Sequence, residues 1–242
     1  MSHPLDGATL RLKRATRHLA EAEQLIDGFG NECEQHVLTD KNNNITQLGG
    51  WPPMPPDLPV VISDAVHNFR AALDYIVYEL AREDSGGIVD GTQFIIEDCK
   101  IDPADRSRGF DVRSKRYLKG LTQPHVNAIE VLQPYNGVQW TKDLRDISNP
   151  DKHRTLTVLS STNRAIQIKM HHKATGRYGM PNRLIVTKKG VTFASYNITI
   201  KATDAITIAP ADASKPSLMQ MLRLIETEVG NTIQAFMPEF KV

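Results

Sequence analysis

After Pro59 the sequence VVISDAVHNFRAALDYIVYELARED puts Ile62, Val66, Phe69, Leu73, Ile76, Val77 and Leu80 on one stripe of a helix. A stripe this long must be covered by other elements, so it predicts a core built around this helix. Proline suits the first turn at Pro59, and Gly86-Gly87 mark the end. Helical spacing also predicts a long helix from Leu5 that stops at Gly28 and Gly30, another over Thr122–Gln133, and a last one over Ser217–Phe236. Trp140–Ile147 reads as a short helix interrupted at Ser148-Asn149-Pro150. There Asn149 would cap a new helix that begins with Pro150.

Between these helices the pattern changes. GGWPPMPPDLP, from Gly49 to Pro59, has too many prolines for a helix or central strand and reads as an extended connector packing Trp51. GTQFIIED reads as a short strand or extended segment, and Asp102–Gly120 as a basic, irregular helical region. After Ser161 the stretches AIQIKMHH, RLIVTKKGVTFASY and ITIKATDAITIA alternate in the strand period. The expectation is an α+β chain, mainly α: a helical bundle with a small antiparallel β-sheet inserted before the C-terminal helix. Its parts would be a bundle over residues 1–162, a basic β lobe over 163–209, and a last helix in 210–242 packing back on the bundle.

At 242 residues, 40% hydrophobic and 24% charged, the chain has the composition of an ordinary globular protein with one domain and an added lobe. Cys33 and Cys99 fit no metal spacing and neither has a partner that would make it a nucleophile. Free thiols, no apolar run long enough for a bilayer, and an N-terminus without an apolar core before a cleavage site together predict a cytoplasmic protein with no membrane partner.

A net charge of +1 conceals a strong local bias. Residues 163–201 carry Arg164, Lys169, Lys173, Arg177, Arg183, Lys188, Lys189 and Lys201 and no acid, so this segment is +8 and the remainder −7. His171, His172, Tyr178, Phe193 and Tyr196 are interleaved, the mixture that single-stranded nucleic acid uses for phosphate contact and stacking. An edge protected by lysines, or a face docking on an acidic surface, accounts for the same pattern. A second basic cluster comprises Arg106, Arg108, Arg113, Lys115 and Arg116.

Two polar motifs stand out on the helices. His67, Asp74 and Tyr78 fall within about 20° of one another around the helix axis, flanked by Asp64 and Arg70. This face is either solvated or lines a polar cleft in which a carboxylate orients a histidine or pairs with arginine. The second motif is Asn149-Pro150-Asp151-Lys152-His153-Arg154. In a first helical turn His153 would stay neutral and able to act as a base, while free backbone N–H groups, Lys152 and Arg154 would hold phosphate.

HNFRAALDYIVYELA, TQF, the QPY that closes a helix and NPDKHR together resemble a group of uncharacterised bacterial proteins that share an HN-x-R-x-x-LD helix and an N-x-DKHR segment. The likeness spans about Pro59–Leu159 and implies no activity. The helical part is also similar to the HEPN superfamily of bundles, many of them metal-independent ribonucleases of toxin and antiphage systems. Their motif is an arginine, four to six residues, then a histidine. Here seven residues separate Arg145 from His153, with Asn149 and Pro150 between them.

That resemblance implies an RNA-cleaving enzyme without metal or other cofactor. His153 would take the 2′-hydroxyl proton, Arg145 or Arg154 would stabilise charge growing on phosphate, and His67 with Asp74 would orient or protonate the leaving group. Arg70, Lys152, Lys169, Arg183, Lys188 and Lys189 would bind the strand. The expected partner is RNA, and a homodimer is the expected assembly. Two other readings remain: a binding module without chemistry, and a metal-dependent hydrolase built on His67, Asp74, Asp151 and His153.

Overall fold

A computed structural model describes residues 3–29, 55–148 and 218–240 with side chains, and the backbone alone at 30–35, 37–39, 45–48, 149–152, 166–172, 178–179 and 196–202. The chain divides into two compact units: residues 1–21, 59–158 and 219–242 form one, residues 22–58 and 159–218 the other.

The first unit is built on α2 (Asp57–Ser85), whose predicted stripe is buried along its whole length from Ile62 to Leu80. Glycine ends it in the conformation other residues avoid, with Gly86 at φ 71°. α1 (Asp6–Gln35) runs antiparallel to α2, with Gly7 beneath the Tyr75 ring and Arg11 reaching Asn68. A Cβ on Gly7 would lie 2.9 Å from that ring, so the absence of a side chain sets how closely the two helices approach. α6 (Leu218–Phe236) is antiparallel to α1 in turn, Gly230 meeting Leu12 and His3 meeting Met237. Leu222, Ile225, Val229 and Ile233 of α6 join Leu5 and, from α1, Ala8, Ala15 and Leu19 in the buried set. Three shorter helices complete the body: α3 (Phe110–Tyr117), α4 (Gln123–Val131) and α5 (Gln139–Lys152). They bury Phe110, Ile129, Trp140, Leu144 and Ile147.

This overturns the expected α+β class. Of the residues described with side chains, 73% are helical and none is in a strand, so no antiparallel sheet belongs to this body. The alternation after Ser161 was read as a layer of the fold, but tertiary context decides whether a β-rich sequence becomes one. In the second unit, apart from its share of α1 and the start of α2, only backbone ladders are described. β1 (Val37–Thr39) pairs antiparallel with β2 (Ile45–Leu48), and β3 (Ile166–His172) lies between β4 (Tyr178–Gly179) and β5 (Tyr196–Ala202). Of the Trp51 connector, residues 49–54 lie outside the described residues, and its last three, Asp57–Pro59, belong to the start of α2 rather than to an extended segment.

Three boundaries also differ from expectation. α1 continues through Gly28 and Gly30 to Gln35, since glycine costs a helix only about 1 kcal/mol and does not break it. α5 continues through Asn149 and Pro150 to Lys152, so Pro150 does not open a new helix and Asn149 is not a cap. An interior proline removes one backbone bond, here the one to the Asp146 carbonyl, and leaves no helix N-terminus for phosphate to occupy. Finally, residues 92–97 have no regular secondary structure and pair with no described strand.

Candidate functional site

The unpaired segment 92–97 explains much of the first polar motif. Arg70 donates from Nη2 to the Phe94 carbonyl at 2.9 Å, and four residues further along α2 the Asp74 Oδ1 accepts the Phe94 N–H at 2.8 Å. Both backbone groups of one buried residue are thus held by side chains one helical turn apart. Gln133 continues the grip from the end of α4. Its Oε1 accepts the Glu97 N–H at 2.9 Å, and its Nε2 donates to the carbonyls of Ile95 and Ile129, each at 3.0 Å. The Gln93 N–H goes to the Tyr117 carbonyl. The arginine and aspartate of the HN-x-R-x-x-LD helix, the TQF segment and the glutamine of QPY therefore form one clamp that satisfies the backbone of an unpaired segment as neighbouring strands would in a sheet.

This placement reassigns two residues. Arg70, expected to bind substrate, is buried beneath the clamped segment. Burial holds its pKa below the usual arginine value, opposed by the charge of Asp74 and assisted by that of Arg113. Asp74, expected to orient His67, spends an oxygen on Phe94. His67 itself is exposed on the outer face of α2.

Arg145 occupies the more open place. It projects from α5 into a groove of about 750 Å³ between residues 96–109, α3 and α5, bordered by Cys99, Arg108, Arg113, Arg116 and Tyr117. Four guanidinium groups meet there, most of them engaged. Arg145 pairs with Asp98 at 2.7 Å and with Asp146 at 2.8 Å, and Arg113 pairs with Glu97 at 2.8 Å. Arg108 is 3.2 Å from Asp105. Arg113 and Arg116 lie against the Tyr117 ring at 5.4 and 5.1 Å. Burial disfavours the Arg145 cation, but its bonds to Asp98 and Asp146 outweigh this and raise its pKa. An anionic ligand at Arg145 would have to displace Asp98, whose side chain is 59% exposed and so free to swing aside. The Cys99 thiol in the same groove is pushed up by desolvation and by Asp102, Glu97 and Asp98, which fits the expectation that it is not a nucleophile.

The basic cluster read from sequence is real as a surface: Arg106, Arg108, Arg113, Lys115 and Arg116 are all exposed on α3 and the loop before it. Of the remaining expected site residues, His153, Arg154, Arg183, Lys188 and Lys189 lie outside the described residues, and so does any cleft shared by His67 and His153. Lys152 and Lys169 are described by backbone alone, at the end of α5 and within β3. Among the described residues no group of three His, Cys, Asp or Glu side chains is placed to hold a metal, and no helix is long and apolar enough to cross a membrane.

Sequence reasoning passed over His125. It sits in the first turn of α4 with its Nδ1 at 2.7 Å from Asp84 and its Nε2 at 3.3 Å from Glu239. The Thr122-Gln123-Pro124 start of α4 places His125 in that turn, but nothing local announces carboxylates 41 and 114 residues away. Comparison with known protein families, curated proteins and solved structures finds no match to this chain.

Proposed function

We propose that the protein is a cytoplasmic RNA-binding protein that holds the strand through the basic segment 163–201, with the exposed arginines of α3 as a second contact. The observation that carries this reading is eight basic residues and no acid in that segment, with aromatic and histidine side chains among them. The α3 surface supports it independently, because guanidinium groups already stacked on Tyr117 present a flat cationic face to a phosphate or a base. Affinity should fall steeply as salt rises, and Lys188→Ala with Lys189→Ala should weaken retention of a labelled single strand. Unchanged retention would assign the charge to another partner.

A second reading, a metal-independent ribonuclease similar to the HEPN enzymes, keeps one favourable observation. Arg145 faces an open groove from a helix that runs on to Lys152, the residue before His153. In that mechanism His153 takes the 2′-hydroxyl proton, the oxygen attacks the adjacent phosphorus, and Arg145 or Arg154 balances the charge on phosphate while the 5′-oxygen leaves. Incubation of labelled RNA with and without chelator separates the readings: cleavage that survives chelator and leaves a cyclic phosphate supports the enzyme. His153→Gln should then lower cleavage by about two to four orders of magnitude while affinity hardly moves. Binding without products in the wild type leaves the first reading alone.

A further inference from the structure

We propose that His125 is a proton-operated latch: as an imidazolium between Asp84 and Glu239 it fastens the C-terminal turn Met237–Glu239 to the ends of α2 and α4, and it loosens that turn when the ring loses its proton. This does not depend on the RNA-binding reading.

The argument starts from donors and acceptors. Ionised carboxylates only accept, and a neutral imidazole carries one N–H. His125 faces Asp84 Oδ2 through Nδ1 at 2.7 Å and Glu239 Oε2 through Nε2 at 3.3 Å. Both contacts are hydrogen bonds only in the doubly protonated ring. The two nitrogens are not equivalent, however. Asp84 is fixed, its side chain 9% exposed and its Oδ2 also accepting the Thr122 N–H at 2.6 Å. Glu239 is half exposed and its contact is the longer. The neutral ring therefore keeps its proton on Nδ1, and the proton that leaves is the one facing Glu239. A lone pair then points at a carboxylate, and the attraction becomes repulsion.

The surroundings reinforce the asymmetry. Among the described residues, Asp84 from α2 and Glu239 from the C-terminal turn are the charged groups facing the ring; Thr122 at the start of α4 adds its hydroxyl at 3.3 Å and α6 the edge of Phe236 at 6.5 Å between centroids. Burial and a position in the first turn of α4 both disfavour a cation. Hydrogen bonds to the two carboxylates and their charges overcome this, so the ring's pKa lies above the ordinary histidine value. For Asp84, burial is outweighed by the bonds from Thr122 and His125, and its pKa is depressed. A raised histidine pKa gives stability that is complete below the unfolded value of about 6.5 and disappears as pH rises through the folded value. A depressed aspartate pKa gives stability that is lost only as pH falls through that lower value. The latch is closed between these limits and opens on the alkaline side.

Opening is partial. The turn keeps a second hold through His3, whose Nδ1 accepts the Leu5 N–H at 3.0 Å, so that its Nε2 donates to the Met237 carbonyl at 3.2 Å. The His3 ring also stands edge-on to Phe240.

The test uses the full chain. The His125 ring is titrated by nuclear magnetic resonance, and amide exchange at Met237, Glu239 and Phe240 is followed over the same pH range after correction for intrinsic rates. The wild-type ring should titrate above a free histidine, with protection of the turn falling about threefold to fivefold along the same curve. Glu239→Gln, at a half-exposed position that folding tolerates, should lower the ring's midpoint by about half a pH unit or more and flatten the exchange profile. A wild-type ring titrating at or below the free value overturns the proposal, as does an unmoved midpoint in Glu239→Gln or turn protection that ignores the titration.

Discussion

Asp74→Ala should cost about 3 kcal/mol of folding stability, read as a fall in the denaturant midpoint of unfolding at constant slope. The substitution does two things at once. It leaves the N–H of Phe94, a fully buried residue, without an acceptor, which alone costs about 1–3 kcal/mol. It also takes an opposing charge from a buried guanidinium whose Nε has no hydrogen-bond partner. Removing one member of a buried charged pair typically costs about 3–5 kcal/mol, and the partial exposure of Asp74 moves the expectation to the low end. Asp74→Asn keeps an acceptor for Phe94 and should cost about half as much. A loss under about 1 kcal/mol for alanine would mean that residues 92–97 hold their course without the clamp.

The other large effect is expected at Gly109. Its φ of 101° and ψ of 175° lie in a region that is essentially glycine's own, and an added Cβ would stand 2.7 Å from the Lys100 carbonyl oxygen. The obstacle is backbone, and backbone that is tied: Phe110 N–H bonds to the Cys99 carbonyl and Asp111 N–H to that of Lys100. Gly109→Ala should therefore cost about 3 kcal/mol and distort the wall of the arginine groove. Two other glycines calibrate the expectation. At Gly120, φ 88°, the Cβ meets the movable side chain of Val89, and the cost should be about 2 kcal/mol. At Gly137, φ 86°, there is open space, and only the conformational term of about 1 kcal/mol remains. Denaturation of the three variants should rank them in that order, and equal losses would show that contact at Gly109 is relieved without strain.

What could be read from sequence differs by the range of the forces involved. α2 and α6 were legible because six or seven apolar side chains in each repeat one period, and burial of such a stripe outweighs any single local preference. α4 was legible from the helical spacing of Val126, Ile129 and Leu132 and from the Gln133-Pro134-Tyr135 that closes it. Pro150 misled because its local cost, about 3 kcal/mol, is within what the surrounding fold can outweigh. The glycines of α1 misled for the same reason at a smaller cost. The α+β class failed because alternation shows only that a segment suits a pleated surface and says nothing of whether the helical body contains one. At the site, the grouping of Arg70 and Asp74 on one helix face was legible, and the Phe94 backbone that both of them hold was not. Spacing places two side chains together, but the backbone they meet at Phe94 comes from a segment with no periodic signature at all. His125 was illegible because its chemistry is made by residues drawn from α2 and the C-terminal turn.

The clamp also bears on association between chains. TQFIIE is a short, β-prone stretch with one charge and no proline, the kind of sequence that templates cross-chain pairing when its amides are free. In the folded protein the Gln93 and Glu97 amides, both polar groups of Phe94 and the Ile95 carbonyl are already engaged. No complete edge is offered to a second molecule. Loss of Asp74 or Gln133 would release several of these groups together, and the outcome would depend on protein concentration as well as on free energy. Such variants should fail first as turbidity in concentrated solution, before dilute samples register a cooperative unfolding transition.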